Sequence, residues 1–383
     1  MTTTDFRLIN WDLAASTAAK LSTAGPSLTE AEITTVVADL RRKAEASVEH
    51  VHRITGLAAA ADLRDSQVLI VDRASWAKAN TQSFEAMLAP AMETLAKTRG
   101  EKISEATQLL SATATGVEMG AILAFMSSKV LGQYDPFAGL LRADLPTGGR
   151  LMLVAPNIVA IERELKVDAN DFRLWVTLHE QTHRVQFAAA PWLRDHLQSK
   201  IVELLASLLA EPEALGERLR AAASDVMRGA KALEKSVATA KDAEGIESGG
   251  VLSALRTREQ KEILSHITAV MSLLEGHANV VMDAVDSSIV PTVRTIRQRF
   301  GGRGKDRGMV EKWLRKVLGL DAKMRQYADG QRFVNRAVKL MGMEGFNRVW
   351  DSAENLPSEN ELHHPELWVQ RLDGTPDPSP LEG

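Results

Sequence analysis

Through almost all of this 383-residue chain, apolar residues recur at helical rather than strand spacing. That period restricts the chain to mainly helical folds. After Ser27, with Glu30 three residues on in the manner of a capping box, Ile33, Val36, Val37, Leu40 and Ala44 share one face and Arg41, Arg42 and Lys43 lie away from it. Only Val68–Val71 and Arg150–Ala155 read as strands, each too short for a helix and bounded by turn-forming or charged residues. The Gly-, Pro- and Asp-rich stretch from Gly132 to Gly149 reads as a loop into the second strand. A minimal sheet should therefore sit beside a helix containing Trp175–Phe187, WVTLHEQTHRVQF, capped by Asp168 or Asn170.

Further along, residues 197–243 are rich in Ala, Leu, Glu and Lys and read as long amphipathic helices, broken by GIESGG at Gly245–Gly250. Another helix is expected from about Arg256 to Asp286, and GGRGKDRG (Gly301–Gly308) reads as a flexible loop. One domain should span residues 1–371, with an N-terminal helical part to about 145 and a core from about 146 to 350, followed by a disordered tail at 372–383. No internal repeat is present.

The chain has no cysteine, so thiol catalysis, disulfides and thiolate metal sites are excluded and any metal must take nitrogen and oxygen ligands. A net charge of −4 gives no reason to expect nucleic acid or an anionic membrane as a partner. The basic stretch Arg294–Arg307 lacks the strand and the Ser or Thr of a phosphate-binding loop and reads as a solvated hinge. The N-terminus carries no basic and apolar signal pattern, and no run of about 18 apolar residues could span a membrane. A cytoplasmic protein is the expectation.

HEQTH carries the chemistry. Residues four apart on a helix share a face, so His179 and His183 can offer two imidazole nitrogens to one metal ion. Glu180, about 100° round the helix, is placed instead to reach water on that metal as a general base. The plain alternative is a helix whose histidines make ordinary hydrogen bonds. Two features favour the metal: the apolar residues on both sides, which bury the histidines, and the strand that precedes the helix, where an extended substrate could add.

A catalytic zinc needs a third protein ligand. The HExxHxxGxxH solution is out, because Gln186 and Ala189 stand where its glycine and histidine would be. His196, beyond Pro191 and Trp192, has no fixed direction, and His266 has no acidic neighbour in register. In SLLEGHANVVMD (Ser272–Asp283), Glu275 is favoured, with Asn279 one turn on as a supporting side chain. Gly276 lets this helix approach another closely, as it must if it is to reach the HEQTH helix. His277 is the alternative, although it lies about 200° from Glu275 on the face of Leu273, Leu274 and Val281. Asp283 could orient an imidazole.

HEQTHRVQF and LLEGHANVVMD, together with VDRASWAKANTQSF, VLGQYDP, LMLVAPNI, QYADGQRFV and GFNRVWDSAENLP, resemble the zincin-like hydrolase family of actinobacteria and chloroflexi. One branch of it is associated with biosynthesis of the deazaflavin coenzyme F420. The resemblance runs from about residue 45 to about 370. It implies a zincin-like helical fold, one zinc ion per chain on His179, His183 and Glu275, a general base in Glu180, and His277 as the weaker third ligand. The expected activity is that of a zinc metallopeptidase acting on a peptide or protein through a zinc-bound water activated by Glu180. Tyr327 and Tyr134 are the candidate donors to the oxyanion, Tyr327 being favoured. Two other readings stand beside this one: a zinc-stabilised scaffold that binds a partner without catalysis, and a zinc hydrolase of a non-peptide amide.

Overall fold

The computed structural model describes residues 8–61, 63, 66–99, 105–141, 148–209, 257–302 and 326–374. In chain order, α1 (Trp11–Leu21) and α2 (Glu30–Thr55) lead to β1 (Gln67–Val71), then α3 (Arg73–Arg99) and α4 (Glu105–Ser127). Next come β2 (Gly132–Asp135), β3 (Arg150–Val154), α5 (Ala155–Leu165), α6 (Ala169–Ala189) and α7 (Leu193–Leu209). The chain continues as α8 (Arg258–Ala284), α9 (Val293–Gly302), α10 (Gln326–Asn347), α11 (Glu359–His363) and α12 (Pro365–Asp373). The mainly α architecture with a small sheet is the one expected. No helix among the described residues is long and apolar enough to cross a membrane. The expected helices beyond Leu209, the GIESGG break, most of the Gly301–Gly308 loop and the tail from 375 lie outside the described residues.

The sheet has three strands where two were expected, in the order β1–β3–β2. β3 runs parallel to β1 and antiparallel to β2. Leu151, Met152, Leu153 and Val154 are all fully buried, as a central strand covered on both faces requires. The missed strand, GQYD, is short, begins with glycine and runs into Pro136. Nothing local makes it extended; its ladder with β3 does. Its alternate side chains serve two helices. Gln133 and Asp135 face α3, where Gln133 exchanges amide hydrogen bonds with Asn80 (3.0 and 3.2 Å) and Asp135 is bound by Arg150 (2.9 Å) and Ser83 (2.6 Å). Gly132 and Tyr134 face α6.

Helix starts follow their caps. Thr29, not Ser27, caps α2: the Glu32 carboxylate accepts from the Thr29 amide at 2.7 Å and the Thr29 hydroxyl accepts from the Glu32 amide. The box is displaced by two residues because Leu28 is drawn against the core ahead of the cap. Asp168 caps α6 as expected, accepting from the Asp171 amide at 2.9 Å.

Around α6 the main core collects Phe172, Val176, Leu178 and Val185 with Val36 and Leu40 of α2, Leu273 and Leu274 of α8, and the aromatic residues Phe333, Phe346, Trp350 and Trp368. Charged groups pin its first turns. Arg173 binds Glu162 through two nitrogens (2.6 and 2.9 Å) and Asp39 at 3.2 Å, while Lys43 bridges Asp39 (2.6 Å) and Asn170 (2.7 Å). Asp171 accepts from both the amide and the hydroxyl of Thr292 at 2.7 Å, which docks the start of α9.

Gly276 does allow a close helix approach, but the partner differs from the one expected. A Cβ there would lie 2.2 Å from the Gly330 carbonyl carbon, and one on Gly330 would lie 2.0 Å from the Ser272 oxygen. α8 thus packs backbone to backbone on α10, leaving its opposite face to α6. The described part of the basic stretch is not a solvated hinge either. Arg297 donates to the carbonyls of Asp283 (3.1 Å) and Val285 (2.8 Å), and Arg299 to Leu165 and Lys166 (3.0 and 2.5 Å), satisfying the C-terminal ends of α8 and α5.

Removing Arg173 would strand the buried Glu162 carboxylate, whereas Asp39 would keep Lys43 at 2.6 Å. Arg173→Met should cost about 3–5 kcal/mol in urea unfolding, whereas Arg42→Ala, which takes away a largely exposed partner of Asp39, should cost no more than about 1 kcal/mol.

Candidate metal centre

His179 and His183 project from one face of α6 with ring centroids 4.9 Å apart and planes at 89°. Across from them α8 presents Glu275, whose Oε2 lies 3.9 Å from His179 Nε2 and whose Oε1 lies 3.6 Å from His183 Nε2. One ligand atom from each of the three falls within 4.8 Å of the others, and no other group of three His, Asp or Glu among the described residues does so. The atoms converge without hydrogen-bonding to one another. Two nitrogens and a carboxylate oxygen, with no thiolate in the chain, could hold a metal ion and match the donor types that catalytic zinc sites use.

The support behind His183 reaches α8 through a single amide. Gln186 Oε1 is 2.9 Å from His183 Nδ1, and Gln186 Nε2 donates to the Leu274 carbonyl at 2.8 Å and stands 3.0 Å from His277 Nδ1. His277 itself is fully buried, its ring against Phe346 (5.6 Å) and Trp350 (5.3 Å). As the turn of the helix implied, it faces the core instead of the metal group, and the Gln186 amide stands between it and His183.

Glu180 is 8% exposed and makes no hydrogen bond among the described residues. It packs against β2 so closely that a Cβ on Gly132 would sit 2.5 Å from its Cγ. Burial, aided by the nearby Glu275 carboxylate and opposed by His183, pushes the Glu180 carboxyl up to about 7. Burial also holds His179 down to about 4, with His183 adding to the shift and Glu275 opposing it, and holds His277 down to about 3.

The other residues singled out from the sequence lie elsewhere. Asn279 is half-buried one turn beyond Glu275 and bonds to neither Glu275 nor the histidines. The Asp283 carboxylate accepts from Gln331 at 2.6 Å and orients no imidazole. His196 and His266 pair with each other, Nε2 to Nε2 at 2.7 Å. The Tyr134 hydroxyl accepts from the Gly149 amide at 3.0 Å and its ring packs on Phe187, so it serves the sheet. Tyr327 falls in the first turn of α10, and its side chain lies outside the described residues. Two residues escaped the sequence reading. Gln186 sits three positions after His183 on the same helix face, a spacing that could have drawn attention to it; Gly132 carried no local signal.

A helical body, a three-stranded sheet and a two-histidine, one-glutamate group between two helices define a mainly α zincin-like protein. The chain belongs to the family of zincin-like metallopeptidases, whose model matches residues 9–369. Membership places it among the zinc hydrolases. It is also similar to a protein of known structure from Chloroflexus aurantiacus, described as an inferred hydrolase with a novel fold. That protein is 31% identical, with 95% of this chain and 99% of the other covered and a TM-score of 0.63. No protein of curated function matches the chain.

The three shifted groups have opposite effects on stability. His179 and His277 titrate lower in the folded chain than their usual 6.5, so their contribution is complete above about 6.5 and is lost as pH falls toward 4 and 3. Glu180 titrates higher than its usual 4.5, so its contribution grows as pH falls from about 7 toward 4.5. In metal-free protein, Glu180→Gln should therefore lose stability more steeply than wild type between about pH 6.5 and 5, by about 1.4 kcal/mol per pH unit. Equal slopes in urea titrations would show that Glu180 has an ordinary carboxyl.

Proposed function

We propose that this chain is a zinc-dependent peptidase in which His179, His183 and Glu275 hold one zinc ion and Glu180 is the general base. The observation that carries the reading is the convergence, from helices far apart in sequence, of three ligand atoms beside a buried carboxylate that has no hydrogen-bond partner among the described residues. A structural zinc site is normally closed by four protein ligands and has no use for Glu180. That counts against the non-catalytic scaffold.

Zinc bound there supplies a Lewis acid that polarises a substrate carbonyl and makes water a stronger acid. Glu180 accepts the proton that the attacking water gives up and delivers it to the leaving amine as the C–N bond breaks. The buried flank of α6 limits competing solvent around Glu180, and Gly132 leaves the room in which the carboxylate sits.

The sheet supports an extended substrate, but along a different strand from the one first expected. β3 is central and paired on both sides, so it cannot accept another strand. β2 is the edge nearest the histidines. The Val154 amide donates to the Leu131 carbonyl at 2.8 Å, so in this antiparallel ladder Leu131 and Gln133 point their backbone groups at β3, and Gly132 turns its amide and carbonyl away. A peptide backbone adding beside Gly132 would lie next to Glu180.

Purified wild type should contain about one zinc per chain by mass spectrometry. Glu180→Gln should keep the zinc and lose about 10²–10⁴-fold in kcat on a peptide library, and Glu275→Ala should lose the metal. Wild type without zinc, prepared free of chelators and supplied with the ion, would sink the reading.

Gly132→Val gives a separate check, because its side chain must displace the Glu180 carboxylate. It should retain zinc while kcat drops at least about 10-fold, a modest part of the general-base contribution. Unchanged turnover would mean that the placement of Glu180 against β2 does not matter.

A further inference from the structure

We propose that Gln186 is a positioning residue for the metal centre: its one amide decides which nitrogen of His183 presents a lone pair to the site, and ties that histidine to the turn of α8 that presents Glu275. The proposal rests on the reading of His183 and Glu275 as ligands.

The argument follows from what each atom can donate or accept. The Leu274 carbonyl can only accept, so the Gln186 atom 2.8 Å away is the amide nitrogen. The amide oxygen is then the atom 2.9 Å from His183 Nδ1. That oxygen has no hydrogen, so His183 Nδ1 must carry one. A neutral imidazole has a single N–H, which leaves the lone pair on Nε2, the atom 3.6 Å from Glu275 Oε1. The second amide hydrogen points at His277 Nδ1, 3.0 Å away, so His277 accepts there and carries its own hydrogen on Nε2. That Nε2 is buried without a hydrogen-bond partner. Gln186 is fully buried, and every polar function of its amide is used.

Two consequences separate this arrangement from a generic buried glutamine. A ring flip of His183 would put Cδ2–H where Nδ1–H meets the Gln186 oxygen, losing that hydrogen bond, and would turn the Nε2 lone pair away from Glu275. Leu274 immediately precedes Glu275, so the same amide holds the backbone turn from which the third ligand extends. His277, held by the Phe346 and Trp350 rings, keeps the amide from rotating by accepting its second hydrogen. Gln186 thereby couples the two helices that make the site, without touching the metal itself.

The test combines spectroscopy on wild type with metal affinity in a variant. In metal-free wild type with ¹⁵N-labelled histidine, long-range ¹H–¹⁵N correlation should show His183 as the Nδ1–H tautomer and His277 as the Nε2–H tautomer. Gln186→Met, which fills the space without donating or accepting there, should lower zinc affinity about 10–100-fold in competition with a chromophoric chelator. It should also leave His183 as a mixture of tautomers. An Nε2–H tautomer at His183 in wild type would overturn the proposal, as would wild-type zinc affinity in Gln186→Met. If that variant does not fold, the wild-type tautomer still decides. Wild type that binds no zinc would overturn the ligand reading, and the proposal with it, and is distinct from a wild type that binds zinc indifferently to Gln186.

Discussion

The burial of α6 on most of its faces is the constraint from which the rest of the structure follows. A polar group taken from water without a partner costs on the order of 1–3 kcal/mol, and this helix carries many such groups inward. Each of several therefore fixes another segment. Arg173 fixes α2 and α5, Asp171 the start of α9, and Gln186 the middle of α8. Arg184 holds the approach to β1 by donating to the carbonyls of Leu63 (3.0 Å) and Ser66 (3.1 Å). Among the described residues, the exceptions on this helix are Glu180, the Trp175 indole nitrogen and both amide atoms of the fully buried Gln181, which have no hydrogen-bond partner.

The same enclosure sets the chemistry. Burial suppresses protonation of His179 and keeps the Glu180 carboxyl close to neutrality. These are the states in which one can act as a ligand and the other can pass a proton in either direction. The strand that borders Glu180 contributes by what it lacks: a side chain at 132 would occupy the space of the carboxylate. Sheet, helix and carboxylate are thus packed against one another.

The second half of the site depends on a backbone contact remote from the metal group. Gly276 and Gly330 allow α8 and α10 to touch, and the aromatic residues of the C-terminal segment, Phe346, Trp350 and Trp368, fill the space around that crossing. Arg297 closes the end of α8. Glu275 is therefore held from behind by packing against α10 and from the front by the link from Gln186 to Leu274. A carboxylate on a helix supported from both sides is held in one place beside the two histidines.

Much of this was legible in the sequence wherever the information is local. Helical period located α2, α6 and α8, the i, i+4 spacing paired His179 with His183, and the turn angle set His277 opposite Glu275. The Asp168 cap was equally readable. What could not be read depends on contacts between distant segments. GQYD is a strand because β3 lies beside it, and Gly276 meets Gly330 because two helices cross there. His196 and His266 satisfy one another across two helices. In the sequence Gln186 only excludes the HExxHxxGxxH pattern; its hydrogen bonds form because α8 brings Leu274 and His277 to its amide. Periodicity and spacing are properties of one helix and are written in its residues. The partner of a buried amide, or of a strand edge, is chosen by the chain that folds against it, and only the tertiary structure makes that choice.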